Sequence, residues 1–465
     1  MIKLFILGLL ITCLGEAMGS VAISIDASKP IAPFNPICRD FAQGGESADP
    51  GYLQPLIEPM RALNPRLIRF DHVLNHYLKI EVKDGAAGAS IPDRRDKMTI
   101  DFTALDKQLD IIRAMGAQPL MCLSYTPDFL GGDKGVTNPP NDLRLWSELI
   151  YRLVKHVNGE RRLGVKYWEI WNEPNLKVFW AGSVEQFLEL YAVTEKAVIR
   201  ADPTVKFGGA GYYGFPHEWV RAMMEQAKAK SLRMDFISWH DYKDASYKTV
   251  SEVTTARVWL KELGMEAELI IDEWNYNAQL NPGNDDHNGA VYVADLLCKM
   301  TELGVDYAPF FEIKDGVNEK RYWGRWGLFT ADHHPKASYY AFLGFARMNG
   351  NRLSFSGEQI IDPGENVHKG KAKIGMAVGE GRHLGIVLYN TSLKQDEMVD
   401  LSISGLGKSP VKARVFLIDA THSNPALTGH ETGLEQVDEQ TLRPQDGTAH
   451  IQVSLPKRSV AFVRL

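Results

Sequence analysis

The nine residues Tyr167-Trp168-Glu169-Ile170-Trp171-Asn172-Glu173-Pro174-Asn175 constrain this chain more than any other stretch. The apolar, aromatic-rich run reads as a short buried strand. It stops at Pro174, which cannot donate to a ladder and biases the residue before it towards extended geometry. A carboxylic acid, Glu173, is thereby placed at the carboxyl end of a strand, beside the amide of Asn172. In a barrel of parallel strands that end carries the catalytic groups.

A second apolar run, residues 268–275, also ends in a carboxylate, Glu273, 100 positions after Glu173. An eight-unit barrel of ~250 residues uses roughly 31 per strand-helix unit, so 100 residues is about three units. One acid then stands on strand four and the other on strand seven. Two carboxyls at one barrel mouth are the equipment of glycoside hydrolysis.

The chain around them reads as a (β/α)8 barrel. Strands are expected at residues 66–70, 117–124, 205–210, 234–240, 269–273 and 307–311. Helices are expected at residues 52–63, 102–115, 143–157, 184–200, 219–230, 255–263, 289–303 and 338–348. A long polar insertion, residues 71–99, leaves strand two at the catalytic end and is placed on the rim of the site. Four segments follow: a signal peptide at 1–19, a strand at 20–34 pairing with the C-terminal sheet, the catalytic barrel at 35–350, and a small β-sandwich at 351–465. The signal reading rests on Lys3, the apolar run 4–14 and the small residues before Ser20, and implies a secreted or periplasmic protein. That run is shorter than the ~20 apolar residues of a membrane span.

The net charge of −6 gives no reason to expect nucleic acid or an anionic membrane as partner. Cys38, Cys122 and Cys298 remain after the signal, too few and too irregular for a zinc site or a disulfide framework. Proton transfer and carboxylate attack need no metal and no organic cofactor.

The ordered set of motifs resembles clan A of the glycoside hydrolases, and within it family 39, which holds β-xylosidases and α-L-iduronidases. The likeness covers residues 35–346. It is carried by Trp171-Asn172-Glu173-Pro174, the second glutamate Glu273, Ser238-Trp239-His240-Asp241-Tyr242, Trp326-Gly327-Leu328 and Lys336-Ala337-Ser338-Tyr339-Tyr340-Ala341-Phe342. The resemblance implies a retaining glycosidase acting on an oligo- or polysaccharide, with Glu173 as acid/base and Glu273 as nucleophile. It also implies that Tyr242 donates to the nucleophile and that His240 touches sugar or acid.

Strand parity adds expectations of its own. Glu169, Trp171 and Glu173 share a face, with Glu169 ~13 Å deeper as a buried structural acid. Asp272 and Glu273 point opposite ways, so only one faces the barrel axis, and the motif match selects Glu273. Arg69 is the candidate cation to hold Glu273 ionised, or a salt bridge inside the barrel, or both. Asn172 is placed to donate to the sugar 2-hydroxyl. Trp274, Trp323 and Trp326 are candidates to stack on a sugar ring.

Two departures from the family pattern bear on the sugar. The histidine-glycine pair expected after the strand-two arginine is replaced by Asp71-His72-Val73, where His72 is the substitute. The tryptophan expected at the end of strand eight is replaced by Glu312-Ile313-Lys314-Asp315. Lys314 would pair with a uronate carboxylate, or with Asp315 or Glu312. The expected specificity is therefore β-xylosidase-like, with an α-L-iduronidase-like uronidase or an endo-acting polysaccharide hydrolase as alternatives. A sugar-binding pseudoenzyme is the alternative outside enzymes.

Overall fold

The computed structural model describes residues 20–82, 95, 97–131, 135–242, 246–361 and 370–465. The segment read as a signal peptide lies outside them, as do residues 83–94 and 96 of the polar insertion.

Eight parallel strands close into a barrel. In chain order they are Asp40–Gln43, Leu67–Phe70, Gln118–Leu123, Tyr167–Ile170, Lys206–Gly209, Phe236–Asp241, Glu268–Trp274 and Phe310–Phe311. Each pairs in parallel with the next, and the eighth pairs with the first. Helices such as Thr103–Ala114, Leu143–Val154, Val184–Ala201, His217–Lys230 and His287–Leu303 wrap the outside. The fold class read from the sequence is the one observed.

Local chemistry explains where the elements differ from expectation. The helix expected at 52–63 is regular only at Ile57–Arg61, after a 3-10 turn at Gln54–Leu56. Pro55 and Pro59 each remove an N–H from the segment and limit its hydrogen bonding. The eighth strand is regular only at Phe310–Phe311, with Tyr307 joined by a lone bridge to Ile270. Pro309 between them has no N–H to give to a ladder. The helix expected from 255 extends back to Ser246.

The barrel interior is layered by the two-residue period of its strands. Leu67, Leu120, Tyr167, Phe236 and Ile270 form an apolar floor. Two residues on, in each of the same strands, stand Arg69, Cys122, Glu169, Ser238 and Asp272, all at most 1% exposed. This polar layer supports the mouth above it.

Nine further strands form a mostly antiparallel, sandwich-like sheet with its own apolar core around Ile386, Leu401, Ile451 and Val463. Residues Ser20–Pro33 are one of its strands, parallel to Glu397–Ser404 on one side and antiparallel to Asn351–Ser356 on the other. The sheet packs against helices His287–Leu303 and Ala337–Ala346. Gly344 lies against the Phe462 ring so closely that a Cβ would overlap it. Arg458 Nε donates to Asn288 Oδ1 at 2.7 Å across the same seam.

Candidate active site

The mouth of the barrel holds both glutamates, and irregular backbone puts them there. In strand four the alternation carries Tyr167 and Glu169 inward, then fails. Trp171 is left-handed (φ 63°), and its side chain turns outward among Tyr125, Trp146 and Trp180. Trp171 therefore does not share the face of Glu169 and Glu173, contrary to strand parity. Asn172 and Glu173 both reach the mouth, and Glu173 is itself left-handed at φ 49°. Its N–H donates to the carbonyl of Gly211 at 2.8 Å.

Strand seven breaks the period by a different device. Trp239 pairs with Ile271 but His240 pairs with Glu273, so Asp272 is an extra residue in the ladder. Such a bulge lets two successive side chains serve one face. Asp272 and Glu273 both reach Arg69, at 2.9 and 2.7 Å. The expectation that only one of them faces the axis is corrected by this bulge. The same shift turns Trp274 away from the cleft. It is fully buried against Tyr292, Phe310 and Phe342, with its indole N–H donated to the Ala308 carbonyl.

Arg69 organises the charges. Its guanidinium donates to Glu169 (2.6 Å), Glu273 (2.7 Å) and Asn172 Oδ1 (2.8 Å). One cation thus meets three buried carboxyls. Glu169 takes donors from Arg69 and the Ser238 hydroxyl. Glu273 takes donors from Arg69 and the Tyr242 hydroxyl, the latter at 2.7 Å. Neither oxygen of Asp272 accepts a hydrogen bond among the described residues. Burial and the neighbouring Glu169 push the Asp272 carboxyl well above its ordinary value. Burial also opposes ionisation of Glu169, but Arg69 and the hydrogen bonds from Asp272 and Ser238 outweigh it and lower that carboxyl.

Glu173 and Glu273 face each other across His240. Nδ1 of His240 shares a proton with Glu173 Oε1 at 2.7 Å and stands 3.4 Å from Glu273 Oε2. Burial pushes Glu173 up to about 7. Burial raises Glu273 as well, against the pull of His240 and Arg69. Burial lowers His240 to about 4, so its imidazole is neutral near pH 7. The environments separate the two glutamates by their partners among the described residues: two donors, Arg69 and Tyr242, on Glu273, and the imidazole of His240 on Glu173. Glu173, His240 and Glu273 each offer one ligand atom within 4.8 Å of the others, a set able to hold a divalent cation.

The cleft above these groups has a volume of about 420 Å3. His72, Asn172, Glu173, Tyr242, Glu273 and Trp326 line it. Asn172 donates to the Tyr125 hydroxyl at 2.9 Å, and the Tyr125 ring forms one wall. Burial lowers His72 to about 4. Asp71, from the described start of the polar insertion, also faces the cleft, and burial lifts its carboxyl to about 6.

Two further candidates fall outside. Lys314 is 6% exposed, and its ammonium turns back to the Tyr52 carbonyl (3.3 Å) and lies 4.0 Å over the Tyr52 ring. Its backbone N–H is held by Gln43, which aims the side chain away from the cleft. Trp323 stands behind Arg325, 5.5 Å from its guanidinium, and does not line the cavity. Glu46, Tyr125, Phe179, Tyr213 and Arg325 line the cleft without having been singled out from the sequence. Glu46 had one legible signal: it stands just after the first strand, at the catalytic end.

Fold and site together define a (β/α)8 barrel with paired carboxylic acids at the ends of strands four and seven. The family model described as glycosyl hydrolases family 39 matches residues 23–437, and the chain belongs to that family. It is 28% identical over 305 residues to a beta-xylosidase from Geobacillus stearothermophilus, covering 58% of this chain and 60% of that protein. It is 25% identical over 291 residues to a beta-xylosidase from Caldicellulosiruptor saccharolyticus, covering 56% and 59%. The chain thus spans about 60% of the length of these curated relatives. The GH39 enzyme from Xanthomonas axonopodis pv. citri shares the fold, with a TM-score of 0.81 at 20% identity over 97% of this chain and 99% of that one. Among the described residues no helix is long and apolar enough to cross a membrane.

Proposed function

We propose that the protein is a secreted, retaining, β-xylosidase-like glycosidase working by double displacement. One observation carries the mechanism: carboxyl oxygens of Glu173 and Glu273 lie within 4.8 Å of each other. Retaining enzymes hold their carboxyls ~5–5.5 Å apart, whereas inverting enzymes leave ~6.5–9.5 Å for a water. The β-xylosidase relatives support the glycon and the anomeric configuration.

In this reading Glu173, kept protonated by burial, gives its proton to the glycosidic oxygen. Glu273, held by Arg69 and Tyr242, attacks the anomeric carbon and forms a glycosyl-enzyme. Glu173, now ionised, takes a proton from water, which hydrolyses the intermediate. Asn172, fixed between Arg69 and Tyr125, has its amide at the cleft surface to meet the 2-hydroxyl.

The test is the stereochemistry of 4-nitrophenyl β-xyloside hydrolysis, followed by NMR at early times. First appearance of the β-anomer supports the proposal; first appearance of the α-anomer removes it. Glu273→Gly is expected to lose several orders of magnitude on every substrate and to give the inverted azide adduct. Glu173→Ala is expected to spare departure of dinitrophenolate, and azide then gives the retained adduct. Exchange of these two outcomes would reverse the assignment. Secretion is tested by N-terminal sequencing of exported protein: a start near Ser20 or Val21 supports it, and an intact Met1 removes it.

A further inference from the structure

Among the described residues, the cavity lining carries four carboxyls, Glu46, Asp71, Glu173 and Glu273, and one permanent cation, Arg325. Arg325 has no free charge to offer. It pairs with Glu46, from the loop after the first strand, and its Nε stands 3.9 Å from Glu312 Oε1. Its guanidinium lies 3.7 Å from the centre of the Trp326 ring, which fixes its plane. Glu312 is fully buried and accepts from Gln43 Nε2 at 2.8 Å, so this wall of the cleft is held from behind. The other cations near the mouth are committed elsewhere. Arg69 serves Glu169, Glu273 and Asn172. Lys314 serves Tyr52.

We propose that the Glu46–Arg325 pair is a charge filter for the sugar ring, admitting neutral glycosides and excluding uronides. The inference rests on reading the cleft as a glycosidase site. A paired carboxylate and guanidinium present a fixed acceptor beside fixed donors, which suits hydroxyl groups. A sugar carboxylate instead meets an arginine already neutralised and a cleft with an excess of acids. Rejection by like charge is a recognised route to specificity. Glu46 is thus a specificity-determining residue, and Arg325 is available to an anionic sugar only when Glu46 is neutral.

Three aryl β-glycosides separate charge from size. Xyloside carries no substituent at C5, glucoside adds a hydroxymethyl group there, and glucuronide adds a carboxylate at the same carbon. The ratio of kcat/KM for glucuronide to that for glucoside reads charge at nearly constant size. In the wild type this ratio is expected to be on the order of 0.01 or lower. Glu46→Gln keeps the shape, frees Arg325, and is expected to raise the ratio about tenfold. Arg325→Gln, leaving Glu46 unpaired, is expected to lower it further. The proposal is overturned if the wild type cleaves glucuronide as well as glucoside. It is overturned equally if Glu46→Gln leaves the ratio unchanged, or if a wild type that cleaves xyloside rejects glucoside and glucuronide alike, since size would then be the filter. Loss of all turnover in the wild type would instead defeat the glycosidase reading. The charge filter is then read from binding: Trp326 fluorescence titrated with glucose and with glucuronate, where equal affinity overturns it.

Discussion

At the scale of single residues, Arg69 and the protons around it govern the site. Arg69 is 1% exposed and is the shared cation of Glu169, Asp272 and Glu273. Replacing it with Met leaves buried carboxylates uncompensated, a change worth roughly 3–5 kcal/mol of stability. Denaturant unfolding should show that loss, and an unfolding free energy within about 1 kcal/mol of wild type would contradict the charge count. The pH dependence follows from Glu173, raised to about 7 by burial. Donation requires the protonated form, so kcat/KM on a xyloside with a poor leaving group should fall as pH rises through about 7. In the proposed double displacement the acid limb belongs to Glu273, which must be ionised to attack. A dinitrophenyl xyloside needs no proton on departure, so the basic limb of its glycosylation step should be absent. Finding the same basic limb for both leaving groups would remove Glu173 as the acid. Much at this scale was legible: strand ends marked Glu173 and Glu273, and Arg69, His240 and Tyr242 do converge on them. Trp274 and Lys314 were misplaced because a position near a strand end does not fix which way the side chain turns.

At the scale of elements, the strand ends are where regular geometry gives way. Residues 211–213 are the counterpart that fixes the Asn172-Glu173 turn. Gly211 accepts from the Glu173 N–H, and Asn175 exchanges two hydrogen bonds with the Tyr213 backbone at 2.9 and 3.0 Å. Gly211 is left-handed at φ 54°, and a Cβ there would stand 3.0 Å from Arg69 Nη2 and 3.1 Å from His240 Nε2. Gly211→Ala should therefore cost about 1–3 kcal/mol of strain and displace both catalytic partners. A steady-state assay should show kcat falling more than KM rises; wild-type kcat would show that the backbone absorbs the methyl. Helices and strands with a clear period were readable in sequence because that period is local. The bulge at Asp272 and the turned Trp171 were not, because each is set by a neighbouring strand.

At the scale of the whole molecule, barrel and sandwich are joined through residues far apart in the chain. Gly344 on the last barrel helix lies against Phe462 in the last strand, with no room for a side chain. Gly344→Val should overpack this seam and cost about 1–3 kcal/mol, read as a lowered unfolding temperature with the xylosidase assay as control. An unchanged unfolding temperature would show that the two units separate there without penalty. By itself the sequence determined the strand-helix alternation, the two acids at strand ends and hence the family, because periodicity and motif spacing are properties of contiguous residues. Only the tertiary structure decided which side chains share the mouth. Arg69, on strand two, gathers groups from strands four and seven, and Glu46 meets Arg325 from opposite ends of the barrel sequence. Such pairings depend on barrel closure, which brings the first and eighth strands together and leaves no local periodic trace in the chain.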